Sequence, residues 1–91
     1  MLDKKKKERV IAKYKTHDTD TGSPQVQIAL LTAEIKDLSS HLMSHKKDFS
    51  SRKGLLRKVS ERRRLMKYLK REDLKAFEQI TEDLKLKTTS I

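Results

Sequence analysis

Cysteine and tryptophan are absent from the 91 residues, proline occurs once, glycine twice, and aromatics make up only 4% of the chain. Each scarcity excludes something. Without cysteine there is no disulfide framework and no thiolate metal site, which suits a reducing cytosol. Few aromatics and few turn formers argue against a β-sandwich or barrel and leave helix as the dominant element. Hydrophobic residues, at 34%, are too sparse for a thick core. A chain of this size buries only about two-thirds of its unfolded surface. A single small domain spanning residues 1–91 and of marginal stability is therefore expected. No apolar run approaches the roughly 20 residues of a membrane span. The segment Leu2-Asp3-Lys4-Lys5-Lys6-Lys7 also lacks the apolar stretch that follows the basic region of a signal peptide. A cytoplasmic protein with no membrane partner is the expectation.

What is abundant is positive charge. Lysine and arginine number 23 against 13 acidic residues, a formal net charge of +10. Thirteen basic and three acidic residues lie between Lys36 and Arg71, so that stretch carries the entire excess and the remainder is neutral. A solvated surface normally mixes both signs. Concentration of one sign in the middle of the chain points instead to a polyanionic partner.

Apolar periodicity outlines an all-α fold: a small antiparallel bundle of three helices plus a loosely packed N-terminal helix. The first helix, about Asp3 to Lys15, has only Val10, Ile11 and Tyr14 as its apolar edge, which makes a mobile segment of residues 1–15. After a polar loop, Ser23 reads as an N-cap and Pro24 as the first helical residue, where its missing N–H costs nothing. Ile28, Leu31, Ile35, Leu38 and Leu42 then recur at spacings of three and four, the seam of a left-handed bundle. Helix character fades near His45. Asp48 or Ser50 can cap a third helix bearing Leu55, Leu56, Val59, Leu65, Met66 and Leu69. Gly54 sits early in it, where a close helix approach or an RNA contact would justify its low propensity. Asp73 can cap a fourth helix with Leu74, Phe77, Ile80 and Leu84, and residues 85–91 are expected to be a frayed tail.

Two side-chain stripes stand out. On the third helix Arg57, Arg64, Tyr68 and Arg71 fall on one face, and Arg64 and Tyr68 are neighbours at i, i+4. A base stacked on the ring and a phosphate held by the guanidinium suit this pair; the alternative is a tyrosine that merely covers the bundle edge. Gln27, Glu34 and His41 recur every seven residues on the second helix. Gln27 and His41 stand about 21 Å apart along it at 1.5 Å per residue, so one rod can touch a large ligand in two places. His41 and His45 are spaced to share a metal, but no third ligand accompanies them and Lys46 and Lys47 would repel a cation, so no metal is expected. Asp18 and Asp20 lack a pocket-forming context. No phosphate-cradling glycine loop and no nucleophile setting occur, so neither catalysis nor a cofactor is expected.

The run Asp20-Thr21-Gly22-Ser23-Pro24-Gln25-Val26-Gln27-Ile28-Ala29-Leu30-Leu31-Thr32 resembles the opening of helix two in bacterial small-subunit ribosomal protein fifteen. His41, His45-Lys46-Lys47-Asp48, Ser51-Arg52-Lys53-Gly54-Leu55-Leu56, Val59, Arg62-Arg63 and Tyr68-Leu69-Lys70 continue the likeness, which is close over residues 16 to 72 and looser at the ends. The resemblance implies a four-helix protein that binds the central domain of small-subunit ribosomal RNA early in assembly. In that family one end grips a three-way helical junction, and Thr21, Gly22, Gln27, Arg64 and Tyr68 match the positions concerned. The other end reads a G·U/G·C element in the minor groove of an adjoining helix, and His41, Asp48 and Ser51 match there. His45, Lys46, Lys47, Arg52, Lys53, Arg57, Arg63 and Arg71 are then expected to meet phosphates.

The chemistry of the residues agrees with this division, because a wide, shallow A-form minor groove exposes guanine amino groups and ribose hydroxyls to short polar side chains. Asp48 as a helix cap alone is the competing reading. The family resemblance further implies other small-subunit ribosomal proteins as neighbours, contact with large-subunit RNA in an intersubunit bridge, in some bacteria repression of the protein's own messenger, and a monomer when free. Phe49 and Ser50 stand where the family commonly has two histidines, and the tail Thr88-Thr89-Ser90-Ile91 departs from its short basic ending. A basic helical module docking an acidic protein is the alternative function, which specificity for central-domain RNA over bulk RNA would exclude.

Overall fold

The computed structural model describes residues 4–14 and 22–85. Its helices are α1 (Lys4–Tyr14), α2 (Pro24–Ser44), α3 (Phe49–Glu72) and α4 (Leu74–Leu84), and no strand occurs among the described residues. The start of α2 follows from its first residues. Ser23 Oγ accepts from the Val26 amide at 3.3 Å, and Pro24 occupies the first helical position. Asp48 rather than Ser50 is the N-cap of α3, accepting from the Ser51 amide. A single residue, Asp73, separates α3 from α4. It ends the first by donating its amide to the Leu69 carbonyl at 2.7 Å and starts the second by accepting from the Ala76 amide at 3.1 Å. The last turn of α4 closes on Lys85 in the left-handed region (φ 54°).

Cross-helix partners fix an antiparallel α2–α3 hairpin: His41 meets Asp48, Glu34 meets Lys58 and Thr32 meets Arg62. Numbers rise along one helix as they fall along the other. Ile28, Met66, Leu69, Phe77 and Ile80 form the central cluster, with Tyr14, Leu65, Ala76 and Leu84 packed against it. The core thus lies where the first half of α2, the second half of α3 and the whole of α4 converge. Helix α1 lies along α2, with Tyr14 at the core and Lys6 reaching Asp37 at 3.3 Å, and buries none of its residues fully. Beyond Asp37 the hairpin is a two-helix arm, stabilised by Leu38 (1% exposed) and by half-buried Leu42, Leu55 and Val59.

The seam read from the sequence is narrower than the buried surface. Val26 and Ala29 are buried beside Ile28, Leu31 and Leu38, whereas Ile35 and Leu42 are only half-buried. Helices pack around the first half of α2 on several sides, so apolar residues off the heptad line are covered there. Leu56 and Leu74 depart from the expected core: they are 63% and 52% exposed. Leu56 lies about a hundred degrees around the helix from Leu55, away from α2, and Leu74 stands at the open first turn of α4. Gly54 is not explained by close helix approach either, since a Cβ there would have nothing within 4 Å.

Candidate nucleic-acid interface

The tip of the α2–α3 arm gathers three of the polar residues singled out above. Asp48, as cap, turns its carboxylate toward both helices. Oδ1 accepts from the Ser51 amide at 3.1 Å, and Oδ2 accepts from Ser51 Oγ and from His41 Nε2, each at 2.7 Å. The Ser51 hydroxyl, then the His41 ring, then the Ser51 amide lower the Asp48 pKa from 3.8 to about 2. A carboxylate has about four lone-pair sites, so one on Oδ1 stays open to a ligand. Because Asp48 can only accept, Nε2 of His41 carries the proton of that bond. The His45 ring stacks on His41 with centroids 4.3 Å apart and planes 8° from parallel, and its Nδ1 donates to the His41 carbonyl at 3.1 Å. The cluster is therefore held rigidly, with Asp48 at once a cap and an open acceptor.

Around it Lys46, Lys47 and Lys53 are exposed, as is Arg52. Arg52 donates to the Lys46 carbonyl at 3.0 Å and lies 5.7 Å over the Phe49 ring. Phe49, which stands where the family commonly has a histidine, is 62% exposed at this tip.

At the other end of α2, the Gln27 side-chain amide donates to the Gly22 carbonyl, tying the loop to the helix. Thr21 lies outside the described residues. Gln27 and Arg64 line the same groove between α2 and α3, and Tyr68, one turn beyond Arg64, is 46% exposed. The cation over the Tyr68 ring is Arg71, at 5.6 Å from its centroid, rather than Arg64. Arg71 also reaches Glu72 at 3.1 Å. One face of the tyrosine is thus taken by a guanidinium from its own helix. Gln27 and His41 lie on one unbroken helix, so the two ends keep the rod spacing of about 21 Å.

The cations of α3 divide into two sets. Lys58 pairs with Glu34, and Arg62 donates to Thr32 Oγ1 at 3.3 Å while Thr32 donates to the Ile28 carbonyl at 2.8 Å. Burial lowers the Arg62 pKa, but a guanidinium remains charged. These two brace α3 on α2. Arg57, Arg63, Arg64, Lys67 and Arg71 face outward. The bracing role of Arg62 was missed in the sequence, although its spacing of four from Lys58 placed both on one face.

A long cationic helix braced on an apolar rod, with polar clusters at both ends, defines a small basic all-helical protein whose outer face suits a polyanion. Residues 6–87 match the family described as Ribosomal protein S15. Similar proteins include small ribosomal subunit protein uS15 of Thermoanaerobacter sp. (strain X514), 55% identical over 87 residues, covering 96% of this chain and 99% of the relative. That of Campylobacter lari (strain RM2100 / D67 / ATCC BAA-1060) is 52% identical over 94% of this chain and 96% of its own length. That of Staphylococcus carnosus (strain TM300) is 47% identical over 91% and 93%. The chain belongs to the ribosomal protein S15 family, whose members are structural rather than enzymatic.

Proposed function

We propose that this protein clamps the central domain of small-subunit ribosomal RNA at two points, a three-way junction and a G·U/G·C minor-groove element. Family membership makes it a structural constituent of the small ribosomal subunit in the cytoplasm; the two-point clamp is our finer reading. One observation carries it. The Gly22–Gln27–Arg64–Tyr68 end and the His41–Asp48–Ser51 end are built on the same two braced helices, so the distance between them is fixed before RNA arrives. Preorganisation of this kind lowers the ordering cost of binding. A clamp on two RNA helices would hold their relative angle, which is a way to nucleate assembly around them. By family resemblance alone, the same reading extends to neighbouring small-subunit proteins, an intersubunit bridge to large-subunit RNA, and repression of the protein's own messenger.

The test is filter binding of central-domain junction RNA against bulk RNA as competitor. Selective binding is expected, and equal competition would overturn the proposal in favour of a protein-docking module. Within that assay Tyr68→Ala should weaken binding by about 1–3 kcal/mol, the scale of one base–aromatic stack. Tyr68→Phe should retain most of the affinity. A folded Tyr68→Ala variant with undiminished binding would make Tyr68 a bundle-edge residue.

A further inference from the structure

The groove between α2 and α3 at the junction-facing end has a lining unlike the rest of the cationic surface. Its volume is about 400 Å³, within the roughly 300–1,000 Å³ of small-ligand pockets. Leu30, Leu31 and Leu65 form an apolar floor, and Gln27, Glu61 and Arg64 stand around it. Glu34, on the same wall, is occupied by Lys58. Glu61 is the only acid between Arg52 and Arg71. Although Arg57 and Arg64 are one turn away on the same helix, Glu61 makes no hydrogen bond or ion pair with any described residue. An unpaired carboxylate amid ten cations is unfavourable against a phosphate backbone, so simple attraction for RNA does not account for it.

Its chemistry suits one occupant. A carboxylate accepts two parallel N–H bonds, and among the four bases only guanine offers such a pair, N1–H and the 2-amino group, on its Watson–Crick edge. The neighbouring guanidinium, three residues on, can donate to guanine O6. Gln27 gives one amide N–H to the Gly22 carbonyl, and its oxygen is a further acceptor. The leucine floor can take the flat face of the base. We infer that this groove is a pocket for an unpaired guanine of the junction, read by Glu61 and Arg64. The inference rests on the proposed junction binding and specifies the base that binding would select.

The experiment measures affinity of the full chain and of Glu61→Gln for junction RNA in which unpaired guanosines are replaced one at a time by inosine, which lacks the 2-amino group. One inosine should weaken the wild type about tenfold, the scale of a bidentate base contact. Glu61→Gln should lose about the same on native RNA and lose little more with that inosine, because both changes break one contact. Native RNA bound by Glu61→Gln as tightly as by the wild type, or more tightly, overturns the inference while selective junction binding stands. So does an inosine series with no sensitive position, which needs no protein variant at all. Failure of the wild type to prefer junction RNA over bulk RNA removes both readings.

Discussion

Asp48 caps α3 while leaving an acceptor site that the proposed minor-groove contact would use. A carboxylate facing RNA is repelled by phosphates unless it accepts a specific hydrogen bond, and Asp48 keeps one lone-pair site open while Ser51 and His41 fill the others. Asp48→Asn should weaken binding to RNA carrying the G·U/G·C element by about tenfold, the scale of a hydrogen bond to a charged group. On RNA with ordinary pairs in its place, the change should cost little. Capping cannot create that dependence on RNA sequence, since Asn caps well; equal changes on both RNAs would leave Asp48 a cap. The same residue gives a pH signature. Its folded-state pKa, about 2, lies below the ordinary 3.8. Its contribution to stability is therefore complete above about pH 4 and fades as pH falls toward 2. The difference in thermal midpoint between wild type and Asp48→Asn should shrink as pH falls from about 4 toward 2.

At the scale of elements, the chain relies on side-chain caps rather than glycine turns. Ser23, Asp48 and Asp73 each accept from an amide of the first turn they precede, satisfying donors that a helix start otherwise leaves open. Asp73 does so with no loop at all, which lets α4 fold back directly against α3. Gly54 is the exception within a helix. Nothing near it excludes a Cβ, so Gly54→Ala should stabilise the free protein by about 0.5–1 kcal/mol through helix propensity, measured by urea unfolding. We propose close approach of RNA, three residues after Ser51 on α3, as the reason for a glycine there, so the same variant should bind RNA less tightly. Higher stability with unchanged affinity would remove that reason.

The whole molecule is a thin body, 18 Å in its shortest extent, about two helix diameters. Such a shape buries little and exposes much, which disfavours an enclosed active site and favours laying a charged face on a polymer. Outward-facing cations on α3 and at the arm tip should make RNA affinity strongly salt-dependent. With six to eight phosphate contacts, log Kd against log salt should have a slope of magnitude about 4–7, at roughly 0.7–0.9 per neutralised phosphate. A magnitude near 1 would show that this surface is not the main docking face. Lys58 and Arg62, turned inward, should contribute little to the slope but support the α2–α3 register.

Local chemistry in the sequence was enough to outline the helices and narrow their starts, because a cap acts within three residues and an apolar period repeats within one or two turns. Ser23, Pro24 and Asp73 were legible for that reason, as was the concentration of charge between Lys36 and Arg71, whereas the choice of Asp48 over Ser50 came from the structure. Motif resemblance named His41, Asp48 and Ser51 together, and the tertiary structure supplied the bond from His41 across the turn. Burial depended on neighbours from distant segments. Val26 and Ala29 are covered because other helices converge on the first half of α2, while Leu56, as apolar as Leu55, faces away from α2 and stays in solvent. The same held for charge: the sequence counts ten cations from Arg52 to Arg71, but only the antiparallel register turns Lys58 and Arg62 toward Glu34 and Thr32. Helical spacing groups the cations by face, but which face is paired depends on the helix that lies opposite, and the local pattern does not name it.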